Sequence, residues 1–352
     1  MTPFVPDYHH IVDCAYNRVP KRLPLYEHIV SANKIGEILH SDFASLQNGG
    51  PRELDEFFRV YCGFFRDYGY DIVPYEECIS GFMPGSGCLG NSSLPPPIQA
   101  PADFERYPWA EIPERYFQGV DARLRALRKN MPDGVKAVGG AGNGIFECVQ
   151  DITGYQNLCY LSADDPELYA DLFQKVADTN AAIWQRFLKE YGDIYCVLRF
   201  GDDLGFRSAT LLPPCDIHAH ILPGYKRIVA QVHAYHKPFL LHSCGAIFAV
   251  MDELINDVGI DAKHSNEDQI APFPVWVERY GTRIGNFGGI DTDAVCRLDL
   301  PALKAYIVHV LDQCVGHGGF AFGSGNSIPD YVPAENYLEM IRVVREYRGD
   351  FL

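Results

Sequence analysis

The chain has no CxxC spacing and no cysteine framework; its eleven cysteines are scattered through 352 residues. That excludes a small disulfide-stapled domain, and most of these thiols read as small buried hydrophobes in a reducing, cytoplasmic setting. Cations are scarce: 30 Lys and Arg stand against 46 Asp and Glu, for a formal charge of −16. Proline interrupts the stretch Arg18, Lys21, Arg22, and apolar positions interrupt Arg123, Arg125, Arg128, Lys129. Binding along a phosphate backbone needs clustered cations, so no nucleic-acid partner is expected. No run approaches the roughly 20 apolar residues of a membrane span. The opening MTPFVPDYHHIVDCAYNRVP reads as neither signal peptide nor anchor, so no membrane partner is expected either. A GxxxxGK[ST] loop is missing, and GGAGNG (139–144) is too loose for a dinucleotide fingerprint.

What is present is ample core material, with 47% hydrophobic and 13% aromatic residues. Residues 51–68 carry apolar positions at helical spacing, and DIVPY (71–75) is a short apolar run fit for a buried strand. Residues 81–110 are rich in Gly, Ser and Pro and read as a long loop, either an excursion between elements or a lid. Helix is expected over 109–130. From residue 135 strands alternate with helices: VKAVGG (135–140), YCVLRF (195–200), PFLLHS (238–243), IDAKHS (260–265), RIGNFGG (283–289) and GFAFGSG (319–325). Helices are expected near 165–190, 223–235, 246–257, 273–280, 302–315 and 334–347. Apolar strands separated by helices indicate a parallel sheet buried on both faces. The expected fold is therefore a (β/α)8 TIM barrel with an irregular N-terminal region. We read 1–352 as one domain, with 1–70 an extension packed on the barrel. An eighth strand would come from Leu23–Val30 or from inside 145–160.

Catalytic groups of such a barrel stand at the C-terminal strand ends. Here those ends carry Asp202 and Asp203, then His242 and Cys244, then His264, Asn266 and Glu267, then Asn286, and finally Asn326. Asp202, Asp203 and His264 are candidate catalytic groups. One aspartate would enter the cavity while the other caps the next segment or pairs with Arg207 or Arg199. Arg207, Asn266, Glu267, Asn286 and Asn326 are candidates for holding a small-molecule substrate. His242 and Cys244, at i and i+2, offer imidazole nitrogen and thiolate suited to zinc; such a pair equally occurs as a bonded histidine beside a buried cysteine. A further ligand would come from His264, Asp202 or Asp203, or from Asn326, which is a poor zinc ligand. The segment CDIHAH (215–220) reads as a loop with weaker metal potential. Phe146, Tyr155, Tyr160, Phe200 and Phe206 are either a pocket wall or packing.

The motifs GDDLGFRSATLLPP (201–214), HSCGAIFAVMDELINDVGIDAKHSNED (242–268), GNFGGIDTD (285–293) and FGSGNSIPDYVPAENYLEM (322–340) resemble the uroporphyrinogen decarboxylase superfamily. That superfamily also contains cobalamin- and coenzyme M-linked methyltransferases. The resemblance covers about 135–347 and implies a (β/α)8 barrel with its site at the strand ends. The decarboxylase branch carries an arginine-rich N-terminal segment, which NRVPKRLPLYEHI (17–29) does not match. The methyltransferase branch binds zinc through a His-x-Cys pair, matched by His242 and Cys244, and a distant cysteine. Asn326 stands where that cysteine would fall, so either another group such as His264 or a carboxylate completes the site or the metal role is lost. The resemblance implies methyl transfer involving a corrinoid carried by a partner protein, with zinc activating a thiol acceptor. A metal-free decarboxylase and a non-catalytic corrinoid- or tetrapyrrole-binding protein are the alternatives; a homodimer is also expected.

Overall fold

The computed structural model describes residues 4–90 and 94–350. Seven strands form one curled parallel sheet in chain order: β1 (Ile72–Pro74), β2 (Lys136–Gly139), β3 (Tyr195–Gly201), β4 (Phe239–His242), β5 (Ala262–His264), β6 (Gly285–Ile290) and β7 (Phe320–Ser324). Each strand pairs with its sequence neighbour, and all but Lys136 of their residues are buried. The helices lie where the periodicity puts them, with two differences. The stretch over 246–257 breaks into 3-10, α and π turns between Phe248 and Val258. CDIHAH is helical rather than a loop, with His220 packed against Tyr169 and Phe173.

The eighth strand position is only partly filled. Leu25 bridges in parallel to Phe322, Tyr26 N–H donates to Phe322 O at 2.7 Å, and Phe322 N–H donates to Pro24 O at 3.0 Å. Residues 145–160, the other expected source, are helices instead. No backbone ladder joins the Leu25 segment to β1 among the described residues, so the TIM-barrel-like sheet stays open there. Arg348 spans the gap, donating to Leu23 O at 3.0 Å and Gly69 O at 2.7 Å. The long segment after Gly81 carries a short helix, Pro101–Arg106, in its described part.

Strand alternation divides the interior into two layers. Ile72, Val138, Val197, Leu240, Ala262, Phe287 and Ala321 form an apolar lower layer, with Ile11 and Cys14 of the helix His9–Ala15 packed into it. Two residues further along β3, β4 and β5 the same face presents Arg199, His242 and His264. Arg199 is fully buried. It donates twice to Glu76 Oε2, at 3.0 and 2.8 Å, once to Tyr26 Oη at 2.8 Å and once to His28 O at 3.0 Å. These bonds tie β3 to the chain after β1 and to the segment that flanks β7.

Removing one partner of a buried pair leaves an uncompensated charge and costs about 3–5 kcal/mol. Arg199→Met is expected to lose that much in urea unfolding. The double variant Glu76→Leu/Arg199→Met should lose less than the sum of the two single changes; strict additivity would mean the pair is not coupled.

Candidate active site at the strand ends

The upper layer is a chain of hydrogen bonds whose proton positions follow from its last member. Ser324 O can only accept, so His264 Nε2, at 3.0 Å, carries the proton. Burial holds His264 neutral, pushing its pKa down to about 3, so its Nδ1 is an acceptor. His242 Nδ1, 2.7 Å away, must then be the donor. His242 is also kept neutral by burial and by His264, which leaves a lone pair on its Nε2. Glu27 anchors the chain from behind. Its carboxylate region receives Ser324 N–H at 3.2 Å and, in a short contact, Ser324 Oγ. Burial without a cation raises the Glu27 pKa to about 8.

The remaining lone pair of His242 faces Cys244 and Asp203. Nε2 lies 3.5 Å from Cys244 Sγ and 3.8 Å from Asp203 Oδ1. Cys244 Sγ is also 3.5 Å from Ser265 Oγ and receives Asn326 Nδ2–H at 3.4 Å. Burial, then the Asp203 charge, pushes the Cys244 thiol well above its ordinary range. The two loops are locked together: Cys244 N–H donates to Asp203 Oδ1 at 2.9 Å and Ala246 N–H to Phe206 O at 2.7 Å. Gly245 permits this with φ +87°; a Cβ there would lie 2.1 Å from the Gly205 carbonyl carbon.

Asp203, His242 and Cys244 therefore form one group of donors able to hold a metal, all within 4.8 Å of one another. His28, His242 and His264 form a second group by proximity, but its geometry is wrong for chelation. The His28 and His242 rings are stacked, with centroids 3.7 Å apart and planes 12° apart. Imidazole lone pairs lie in the ring plane, so two stacked rings cannot both point at one ion. The second group is packing.

The remaining candidates separate by placement. Asp202 is buried and turned away, accepting Phe146 N–H at 2.9 Å and Glu147 N–H at 2.7 Å at the start of the helix Ile145–Thr153. It caps, and Asp203 faces the mouth; neither pairs with Arg199 or Arg207. Arg207 is exposed on the turn bridged by Gly205 and Thr210. Asn266 braces strand ends, accepting Gly289 N–H at 3.1 Å, and Glu267 is half-buried beside it. Asn286 sits near the start of β6, its amide bonded to Ile284 O at 3.0 Å, away from the mouth. Phe146 and Phe200 are core, whereas Tyr155, Tyr160 and Phe206 are exposed. Sequence reasoning missed Glu27, His28, Glu76 and Glu147. Of these, Glu147 approaches the site, with Oε1 3.4 Å from Asp203 N. A cavity of about 650 Å³ opens beside the site between Glu76 and Asp330, and His28 is in its wall. A larger one, about 980 Å³, lies at the opposite end of the strands near Gly281 and Gly318.

Two measurements check this chain. Long-range ¹H–¹⁵N spectra at neutral pH should show His242 protonated at Nδ1 and His264 at Nε2. The His264→Phe variant should return His242 toward a mixture of tautomers. Glu27 is neutral in the folded state up to a pKa of about 8 but ionises near 4.5 when unfolded. Wild-type stability should thus fall as pH rises between those values, and Glu27→Gln should remove that slope.

No curated protein matches the chain in sequence. Among solved structures, a methyltransferase from Methanosarcina mazei superposes with a TM-score of 0.75 at 14% identity, covering 96% of this chain and 98% of that one. A Listeria monocytogenes protein provisionally assigned as a vitamin-B12-independent methionine synthase also aligns, at 14% identity, with 95% and 98% coverage and a TM-score of 0.48. At such identities the first likeness is one of fold, and the second adds nothing to it. The family model described as uroporphyrinogen decarboxylase (URO-D) matches residues 58–347, and the chain belongs to that family.

Proposed function

We propose that this chain is a methyltransferase of the family, exchanging a methyl group between a thiol or small methylated substrate and a corrinoid carried by a partner protein at the barrel mouth. The observation that carries the reading is the His242 Nε2 lone pair, set by the bond to His264, beside Cys244 Sγ and Asp203. This donor set fits zinc: one imidazole, one thiol and one carboxylate, with a second ring holding the tautomer from behind. When bound, zinc would supply the Lewis acidity that lets a thiol exist as thiolate at neutral pH.

The chain's own residues do the rest. His242, Cys244 and Asp203 would hold the ion. His264 and Ser324 keep the His242 ring oriented. Asn326 donates an N–H toward the Cys244 sulfur and so favours its ionised form. Asp203, half-exposed, stands between the site and solvent, and Glu147 flanks it. The decarboxylase alternative needs cations free to meet substrate carboxylates; Arg199 in the interior is already engaged by Glu76, Tyr26 and the His28 carbonyl, and the buried Lys263 donates to Ser265 O.

Protein purified without chelator should contain about one zinc per chain, and Cys244→Ser and Asp203→Asn should each lose most of it. His264→Phe should weaken zinc about 10–100-fold, the range seen when a partner behind a ligand is removed. With methylcobalamin and 2-mercaptoethanol, wild type should form the methyl thioether and Cys244→Ser should not. Absence of metal from every protein would return the weight to a metal-free decarboxylase.

A further inference from the structure

The 650 Å³ cavity beside the site has a polarity the methyl-transfer reading does not use. His28, Phe57, Tyr61, Glu76, Asp42 and Asp330 are among its walls, and no Lys or Arg lines it among the described residues. It lies at the C-terminal ends of β1 and the Leu25 segment, and the His28 ring that lines it stacks on His242.

The ionisable residues of its lining, apart from the phenol and thiol side chains, are the carboxylates of Asp42, Glu76 and Asp330 and the His28 ring. Glu76 receives both Arg199 bonds on Oε2, while Oε1 is 4.0 Å from His28 Nε2 and takes no hydrogen bond among the described residues. His28 is 94% buried (6% exposed) and its ring forms part of the cavity wall, with its Nδ1 buried and without a hydrogen-bond partner. Asp330 accepts from Ser31 Oγ and from Asn33 Nδ2, at 2.9 Å for the latter, and both donors are neutral. Asp42 stands exposed at the rim. The start of the helix Ala32–Leu39 partly offsets Asp330, and Arg199 offsets Glu76. Lys34 also acts on Asp330, but Asp42 has no ion-pair partner among the described residues and no Lys or Arg side chain lines the cavity. Aromatic walls complete a surface suited to positive charge.

We infer that this cavity binds the non-reacting part of the substrate and that this part is a small organic cation, such as a methylated ammonium. The inference rests on the methyl-transfer reading for its link to the reaction, but the binding itself does not.

Choline and its neutral isostere 3,3-dimethylbutan-1-ol differ by one charge, and 3,3-dimethylbutanoate supplies the opposite one. By calorimetry, choline should bind the purified full chain at least about tenfold more tightly than the alcohol, and the carboxylate least. Asp42→Asn should narrow the gap between choline and the alcohol. Ala44→Trp, which puts an indole into the cavity from its lining, should abolish choline binding. Equal affinities for choline and alcohol, tighter binding of the carboxylate, no choline binding, or choline binding that survives Ala44→Trp would each overturn the inference. Cys244→Ser should bind choline as wild type does. Failure of the zinc reading would therefore leave this result standing, and failure here would leave the zinc result intact.

Discussion

Arg199 is the constraint on which the upper half of the barrel depends. A guanidinium buried in a protein interior needs its donors met and its charge opposed. Here the partners come from two distant parts of the chain: Glu76, just past β1, and Tyr26 with the His28 carbonyl, on the segment beside β7. β1 and that segment flank the open side of the sheet, where no backbone ladder runs among the described residues. The ion pair therefore substitutes for strand pairing. It also sets the His28 ring against His242, and Glu27, one residue earlier, against Ser324. One side chain thus links closure of the sheet to the geometry of the site.

Much of the fold was legible because parallel strands buried on both faces read as apolar runs between helices. All seven expected strands from DIVPY to GFAFGSG appear, each within a few residues. The eighth did not declare itself, since Leu25 and Tyr26 make only an isolated bridge to β7 and carry no periodic pattern. CDIHAH was misread because Pro213-Pro214 suggested a break, whereas Pro214 occupies the first turn of a helix, where its missing N–H costs nothing.

The site was legible in proportion to how local it is. His242, Cys244 and Asp203 lie at the ends of adjacent strands, so strand placement alone brought them together. Which aspartate turns inward was not readable, because it depends on the start of the helix Ile145–Thr153 claiming Asp202. The contributions of Glu27, His28 and Glu76 were invisible for another reason. They come from outside the regular repeat and reach the centre by long-range contacts, Glu76 through Arg199, Glu27 through Ser324 and His28 by stacking on His242. Asn286 illustrates the converse error: it belongs to a strand motif but lies near the wrong end of the strand.

Asn326, at the position where the family resemblance implies a ligand cysteine, has a consistent electrostatic reading. In the pattern the family resemblance implies, one histidine and two thiolates would neutralise a divalent ion. With Asn326 in place of the distant thiolate, that balance requires another anion, and Asp203 stands 3.8 Å from His242 Nε2 with its carboxylate turned to the mouth. A carboxylate donates less electron density than a thiolate, so an ion held by this set would be the stronger Lewis acid. Asn326 gives its N–H to Cys244 Sγ, a bond that would favour a thiolate there once an ion is bound. The departure from the family pattern would thus shift the character of an ion held by Asp203, His242 and Cys244 while keeping two anionic groups around it.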